Sequence, residues 1–76
     1  MTKAYILITT DPVAMNRVAE ALRAMSAVQE VHEVMGPYDI VAEVEVPSVD
    51  QIGDLLRERV RTIEGVRSTL TCVAIS

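Results

Sequence analysis

The chain has 76 residues, half of them apolar, and its 11 acidic side chains outnumber its 7 Lys and Arg, for a net charge of −4. A chain this short forms one domain, and because it buries only about 60% of its unfolded surface, association with a second copy is a common source of further stability. The negative charge argues against direct binding to nucleic acid or to an anionic membrane surface, so we expect neither partner. The lone cysteine, Cys72, has no partner for an internal disulfide, which favours a reducing cytoplasm.

The N-terminal third predicts a strand and then an amphipathic helix. Residues 4–10 are apolar at nearly every position and rich in β-branched side chains, as in a buried strand. Asp11 is a favourable N-cap and Pro12 a favourable first helical residue, so a helix is expected to follow. Residues 13–25 carry apolar side chains at three- and four-residue steps, which predicts a helix with one buried stripe.

Two more strands are predicted, joined by a short turn. Residues 28–35 are rich in valine and predict the second strand. Residues 39–46 alternate strictly, with apolar side chains on one face and two glutamates on the other, which predicts a third strand. Pro47 ends that strand, since proline lacks the amide that a sheet ladder requires.

The C-terminal third repeats the order of helix and then strand. Ser48 and Gln51 have the spacing of a capping box, in which side chains bond the free amides at the start of a helix. The helix is predicted over residues 49–64, followed by Gly65, a residue type that commonly adopts the left-handed conformation after a helix. Residues 66–75 predict the fourth strand.

The order β-α-β-β-α-β predicts a ferredoxin-like α+β sandwich. Two right-handed βαβ units interleave into a four-stranded antiparallel sheet of order 4-1-3-2, with both helices on one face. The other face is then uncovered, and we expect it to carry Val41, Val73 and Ile75. The chain has more aliphatic residues than one thin core needs, so a second copy of the same sheet is the simplest cover.

Few side chains are suited to catalysis or metal binding. His32 is the only imidazole, and neither it nor Cys72 has neighbours at metal-ligand spacing, so no metal site is expected and Cys72 is assigned to the core. Glu43 and Glu45 share one strand face, without the sign of a buried carboxyl that acid catalysis requires. The three glycines are scattered, which excludes a glycine-rich phosphate loop. We therefore predict neither catalysis nor a cofactor.

The turn Gly-Pro-Tyr-Asp at residues 36–39 permits two interpretations. Gly36 permits a positive φ, Pro37 stiffens the turn, and Asp39 can accept hydrogen bonds from turn amides. These properties suit an ordinary hairpin. They suit equally a loop whose backbone contacts a ligand, and the residues alone leave both interpretations open.

Two short motifs resemble the effector domain of the leucine-responsive/asparagine (Lrp/AsnC) regulator family, also called the RAM domain. Members typically have V-x-x-x-x-x-V-T-G-x-x-D at the second hairpin and G-V-x-x-T-x-T in the last strand. This chain matches the first motif at Val28, Val34, Gly36 and Asp39. It matches the second motif at Gly65, Val66, Thr69 and Thr71. Met35 stands where the family usually has threonine, and the resemblance covers essentially the whole chain.

The resemblance implies a stand-alone effector domain over residues 1–76, without the helix-turn-helix of the full regulators. It implies dimers paired through their sheets, rings of dimers, and an amino acid effector bound in clefts between dimers, without catalysis. Such a module modulates transcriptional regulators or metabolism, with full-length Lrp/AsnC regulators as further partners. In the cleft, turn amides would meet the α-carboxylate and Asp39 the ammonium group. The ligand-binding residues expected on this basis are Met35, Gly36, Pro37, Tyr38, Asp39, Thr69 and Thr71.

Two other functions use related folds. A small dimeric α/β-barrel enzyme, such as a monooxygenase or isomerase, usually lines its pocket with His, Asn, Trp or Tyr, and this chain has few of these. An ACT-like regulatory domain also binds amino acids but is usually fused to an enzyme. Both remain alternatives to the effector domain.

Overall fold

A computed structural model describes residues 1–75 and contains the predicted elements in the predicted order. The strands are β1 (Thr2–Thr10), β2 (Val28–Glu33), β3 (Ile40–Val46) and β4 (Val66–Val73). The first helix is α1 (Met15–Arg23), preceded by a 3₁₀ turn at Pro12–Ala14. The second helix, α2, runs over Asp50–Leu55 and continues as a π-helical turn over Leu56–Val60.

The four strands form one antiparallel sheet in the order β2-β3-β1-β4, which is the predicted order 4-1-3-2 seen from the other edge. β1 lies in the centre and pairs with β3 from Thr2↔Val46 to Ile8↔Ile40. The first of these pairs explains why β1 begins two residues earlier than predicted. β2 and β4 each end two residues earlier than predicted. The fold class and the strand order are both confirmed.

One face of the sheet is buried beneath the helices. Alternate residues of the two central strands face that side and are fully or almost fully buried: Ala4, Ile6, Ile8, Thr10, Ile40, Ala42, Val44 and Val46. The helices complete the core with Val18 and Leu22 from α1 and Ile52 and Val60 from α2. The resulting core is aliphatic, as the absence of Phe and Trp requires.

The face away from the helices carries a different apolar set from the one predicted. Val73 pairs with Ala4 and therefore faces the helix side, and Ile75 lies beyond the end of β4. Their predicted positions on the open face are wrong, whereas the position of Val41 is correct. The cross-strand row at the centre of the open face begins with His32 on β2 and continues through the apolar residues Val41, Leu7 and Leu70.

The neighbouring rows of the open face are partly polar. Cys72 pairs with Tyr5 there and is exposed, so its predicted place in the core is wrong. Lys3 forms an ion pair with Glu43, with 3.4 Å between Nζ and Oε2. The hydrogen bond and the charge of Glu43 raise the pKa of Lys3 above its ordinary value. This face is therefore an apolar row bordered by charges.

Neither predicted side-chain cap forms at the helix starts. Asp11 precedes the 3₁₀ turn in an extended conformation, but its carboxylate binds the guanidinium of Arg67 at 2.9 Å instead of capping the turn. Pro12 does occupy the first position, as predicted. At α2 the amide of Gln51 donates to the backbone carbonyl of Ser48 (3.1 Å), so the capping box is replaced by a backbone turn.

The second helix ends at Val60, earlier than the predicted residue 64, because its last turn widens. The amide of Arg61 donates to the carbonyl of Leu56 at 2.8 Å, a five-residue step that belongs to a π-helix. Gly65 therefore does not follow the helix end directly. It has φ of +104° in the turn before β4, and a Cβ placed there would clash with the Cβ of Ala14. Glycine is needed here both for its φ and for close approach to the start of α1.

Candidate functional site

The loop between β2 and β3 is held against the end of β1 by Asp39. The amide of Val34 donates to the carbonyl of Asp39 (2.8 Å), which closes the loop. The Asp39 amide donates to the carbonyl of Ile8 (2.9 Å), and its Oδ2 accepts from the amide of Thr10 (2.8 Å). One carboxylate oxygen of Asp39 remains without a partner among residues 1–75. The two bonds to Ile8 and Thr10 attach the closed loop to the neighbouring strand β1.

The tip of this loop presents backbone and side chain to solvent. Met35, Gly36 and Pro37 are exposed, whereas Tyr38 and Asp39 are half-buried. Gly36 has φ of +150°, a conformation that L side chains rarely adopt, although a Cβ there would meet nothing within 4 Å. Within the part of the chain that the structure describes, the amides of Gly36 and Tyr38 have no hydrogen-bond partner. Residues 36–39 therefore carry two unpaired amide donors and one unpaired carboxylate oxygen.

The two predicted threonines lie on the edge strand β4, apart from this loop. Thr69 pairs with Ile8 and Thr71 with Ile6, so both face the helix side of the sheet. Ile8 also pairs with Ile40, where β3 begins, which places Thr69 two strand spacings, or about 10 Å, from that end of the loop. A single chain thus brings the five loop residues together but leaves the threonines apart from them.

A groove beside Thr69 contains two arginines that the sequence motifs did not indicate. Its volume is about 310 Å³, and it is lined by Arg61, Val66, Arg67, Ser68 and Thr69. The Nε of Arg61 donates to the Thr69 hydroxyl at 3.4 Å. The sequence signal that could have drawn attention to it is the pair of arginines on either side of Gly65.

The other chemically active side chains form no site. His32 pairs with Glu30 at 2.8 Å on the surface, and Cys72 is exposed on the open face. Among residues 1–75 no three His, Cys, Asp or Glu side chains are grouped so that they could hold a metal ion. No helix in that range is long and apolar enough to span a membrane.

The family model for the Lrp/AsnC ligand binding domain matches residues 3–76, almost the entire chain. The chain belongs to the Lrp/AsnC ligand-binding domain family. An HTH-type transcriptional regulator of Pyrococcus furiosus is 36% identical over 76 residues, which is 96% of this chain. The chain spans about half (51%) of the length of that regulator. A homocitrate synthase of Sulfurisphaera tokodaii is 34% identical over 58 residues, 76% of this chain but 12% of that enzyme.

Solved structures with the same fold are similar to this chain over its whole length. TTHA0845 from Thermus thermophilus superposes with a TM-score of 0.96 at 33% identity, covering 100% of this chain and 95% of that one. A feast or famine regulatory protein from M. tuberculosis, solved in complex with L-methionine, has a TM-score of 0.85 at 28% identity, covering 100% of this chain and 51% of that one. The Lrp/AsnC resemblance of the two sequence motifs is thereby confirmed.

Proposed function

We propose that this Lrp/AsnC domain is a non-catalytic, cytoplasmic sensor that binds an amino acid at the loop of residues 34–39, in a cleft between copies of the chain. The observation that carries the proposal is the attachment of this loop through Asp39, which leaves the amides of Gly36 and Tyr38 unpaired. The L-methionine complex of the M. tuberculosis relative supports an amino acid as the ligand class.

The chemistry of the loop suits the two charged groups that every amino acid carries. An α-carboxylate can accept from the amides of Gly36 and Tyr38, while the free oxygen of Asp39 accepts from the ammonium group. Pro37 has no amide and contributes shape, and Met35 offers an exposed apolar side chain to the ligand or to a neighbouring copy. The ligand thus replaces water on groups that the chain leaves unpaired.

The threonines support a site completed by a second copy. Thr69 and Thr71 are about two strands away from the loop within one chain, so they reach a ligand held by the loop only if they come from another subunit. The apolar residues Val41, Leu7 and Leu70 favour dimers paired through the open face of the sheet. The threonines face the helix side, so they would reach the ligand through further contacts between dimers, which close a ring. Full-length Lrp/AsnC regulators, which contain the same domain, are the natural additional partners.

A regulatory domain that acts on an enzyme is the second candidate. The match to 12% of a homocitrate synthase favours it, because a segment similar to this chain occurs within an enzyme. Catalysis by this chain itself is not proposed, since His32 is engaged by Glu30 on the surface and Cys72 lies on the open face, away from the loop. In both candidates the domain has the same task, which is to bind a small molecule.

Replacing Asp39 with asparagine is expected to weaken amino acid binding while preserving the loop. Asparagine keeps an oxygen that can accept from the Thr10 amide, but it removes the charge that faces the ammonium group. Loss of that charge-assisted hydrogen bond should raise the Kd by about 10- to 150-fold, corresponding to roughly 1.5–3 kcal/mol. Isothermal titration with L-methionine, or with whichever amino acid binds most tightly, measures the change.

Asp54→Asn is the matched control for this substitution. Asp54 pairs with Arg57 on the surface of α2, so its change also removes one negative charge but leaves the loop untouched. We expect unchanged affinity for Asp54→Asn. Equal affinity of wild type and Asp39→Asn would show that the loop is only a hairpin.

A further inference from the structure

We propose that the groove formed by Arg61, Val66, Arg67, Ser68 and Thr69 is a second site, which binds a small oxyanion, either a carboxylate or a phosphate. This site goes beyond the proposed amino acid site, with which it shares only Thr69. It lies within one chain, between the end of α2 and the start of β4, and has a volume of about 310 Å³. Nothing in the proposal depends on the loop of residues 34–39.

A β-bulge positions the first of the two guanidinium groups. Ser68 and Val66 pair with consecutive residues of β1, which leaves Arg67 as an extra residue without a partner in the ladder. Bulges of this kind redirect a side chain away from the regular alternation of the strand. The guanidinium donates one hydrogen bond to Asp11 at 2.9 Å, which fixes its position beside the groove. Since a guanidinium has five N–H donors, most of them remain for a ligand.

The second guanidinium comes from the turn that follows α2. The π-helical hydrogen bond from the Arg61 amide to Leu56 inserts one extra residue in the last turn and so sets the direction of the Arg61 side chain. Its Nε donates to the hydroxyl of Thr69 (3.4 Å). No carboxylate within residues 1–75 lies within ion-pair distance of Arg61. The guanidinium of Arg61 therefore has no acidic partner within the part of the chain that the structure describes.

The composition of the groove determines the ligand class. Its five lining residues include two guanidinium groups and two hydroxyls but no carboxylate. Asp11 pairs with Arg67, whereas no described carboxylate lies within ion-pair distance of Arg61, so one of the two guanidinium groups keeps an uncompensated charge. Planar guanidinium forks bind carboxylate and phosphate oxygens in pairs of parallel hydrogen bonds. The volume accommodates a small anion of this kind, and is at the lower end for ligand pockets in general.

The test is a titration of the intact chain with inorganic phosphate and with succinate, each compared with sodium chloride at equal ionic strength. We expect saturable calorimetric binding of at least one of the two oxyanions and none of chloride. The anion that binds more tightly shows whether the natural ligand of the groove carries a phosphate or a carboxylate. Arg61→Gln and Arg67→Gln should each weaken that binding by about 10-fold or more, because each removes a charge-assisted pair of donors.

Two control variants make the outcome specific. Arg57→Gln removes a positive charge from a residue that pairs with Asp54 and does not line the groove, and this variant should bind the anion as wild type does. Arg23→Gln, at the β2 edge of the sheet where Arg23 donates to the Val31 carbonyl, should also bind the anion as wild type does. None of these variants changes the loop of residues 34–39, so the result does not depend on the amino acid site. The proposal is overturned if phosphate and succinate act only as chloride does, or if Arg61→Gln binds like wild type. It is likewise overturned if the Arg variants change only the oligomer mass, which would make the groove a contact between copies.

Discussion

Replacing Gly65 with alanine is expected to destabilise the domain by about 2–6 kcal/mol. The left-handed φ of +104° costs a non-glycine residue roughly 1–3 kcal/mol, and the clash of the added Cβ with the Cβ of Ala14 adds a similar cost for overpacking. A domain of this size has a total stability of about 4–11 kcal/mol, so the variant loses a large share of that stability. Urea unfolding followed by circular dichroism, at one fixed protein concentration, measures the loss.

Gly53→Ala is the matched control for this experiment. Gly53 lies inside α2 without a positive φ, and its added Cβ would meet only the Nη1 of Arg57, at 3.5 Å, an ordinary van der Waals contact. Alanine is the better helix former, so this variant should gain about 0.5–1 kcal/mol. If the two variants were equally stable, the close packing of the α2–β4 turn against the start of α1 would be wrong.

Replacing Leu70 with glutamate is expected to convert a dimer into monomers. Leu70 is 49% exposed in the single chain, so the carboxylate of a glutamate at this position stays hydrated in the monomer. When two sheets pack against each other through this face, each glutamate carboxylate is buried without a partner. Burying one such charge costs about 3 kcal/mol or more, and a symmetric dimer buries two of them. Light scattering at micromolar concentration should show wild type at twice the 8.3 kDa chain mass or a multiple of it, and Leu70→Glu near the mass of one chain.

Val13→Glu serves as the control for added charge. Val13 is 93% exposed in the 3₁₀ turn before α1, away from the open face, so the same change there should leave the mass unaltered. Circular dichroism must show that both variants keep the fold. A wild-type chain that is already a folded monomer would exclude association through the sheet.

The topology could be predicted from the sequence because hydrophobic periodicity reports burial directly. Strict alternation over residues 39–46 and helical spacing over 13–25 each correspond to an observed element with the predicted buried face. Caps were harder to predict, since tertiary contacts compete for the same side chains. Asp11 has the right residue type for a cap, yet its carboxylate is taken by Arg67, which is 56 residues away in the sequence.

The covered face of β4 could not be predicted, for two reasons. Its apolar residues are divided between the faces, with Leu70 on the open side and Val73 on the helix side, so composition favours neither. The bulge at Arg67 also breaks the alternation that would connect Val66, which packs against the core, with the rest of the strand. The sequence prediction placed Cys72 in the core because this division of the apolar residues hides which face of β4 is covered.

Of the two candidate sites, only the loop of residues 34–39 could be identified from the sequence. Gly36 and Asp39 were identified because a motif names them, and the structure gives Asp39 an additional role in attaching the loop to β1. The groove of Arg61 and Arg67 depends on a π-helical turn and on a bulge, and neither irregularity has a reliable signal in a single sequence. Both were recognised only from the three-dimensional arrangement.

The central claim is that the folded domain binds an amino acid, and thermal melting in the presence of each common amino acid tests it most directly. A ligand that binds only the folded state stabilises it by about 2.7 kcal/mol at 100 times its Kd. For a domain of this size, that stabilisation raises Tm by roughly 10–20 °C. We predict such a saturable rise for at least one amino acid. If none of them raises the Tm of the folded, assembled protein, the proposed function is wrong.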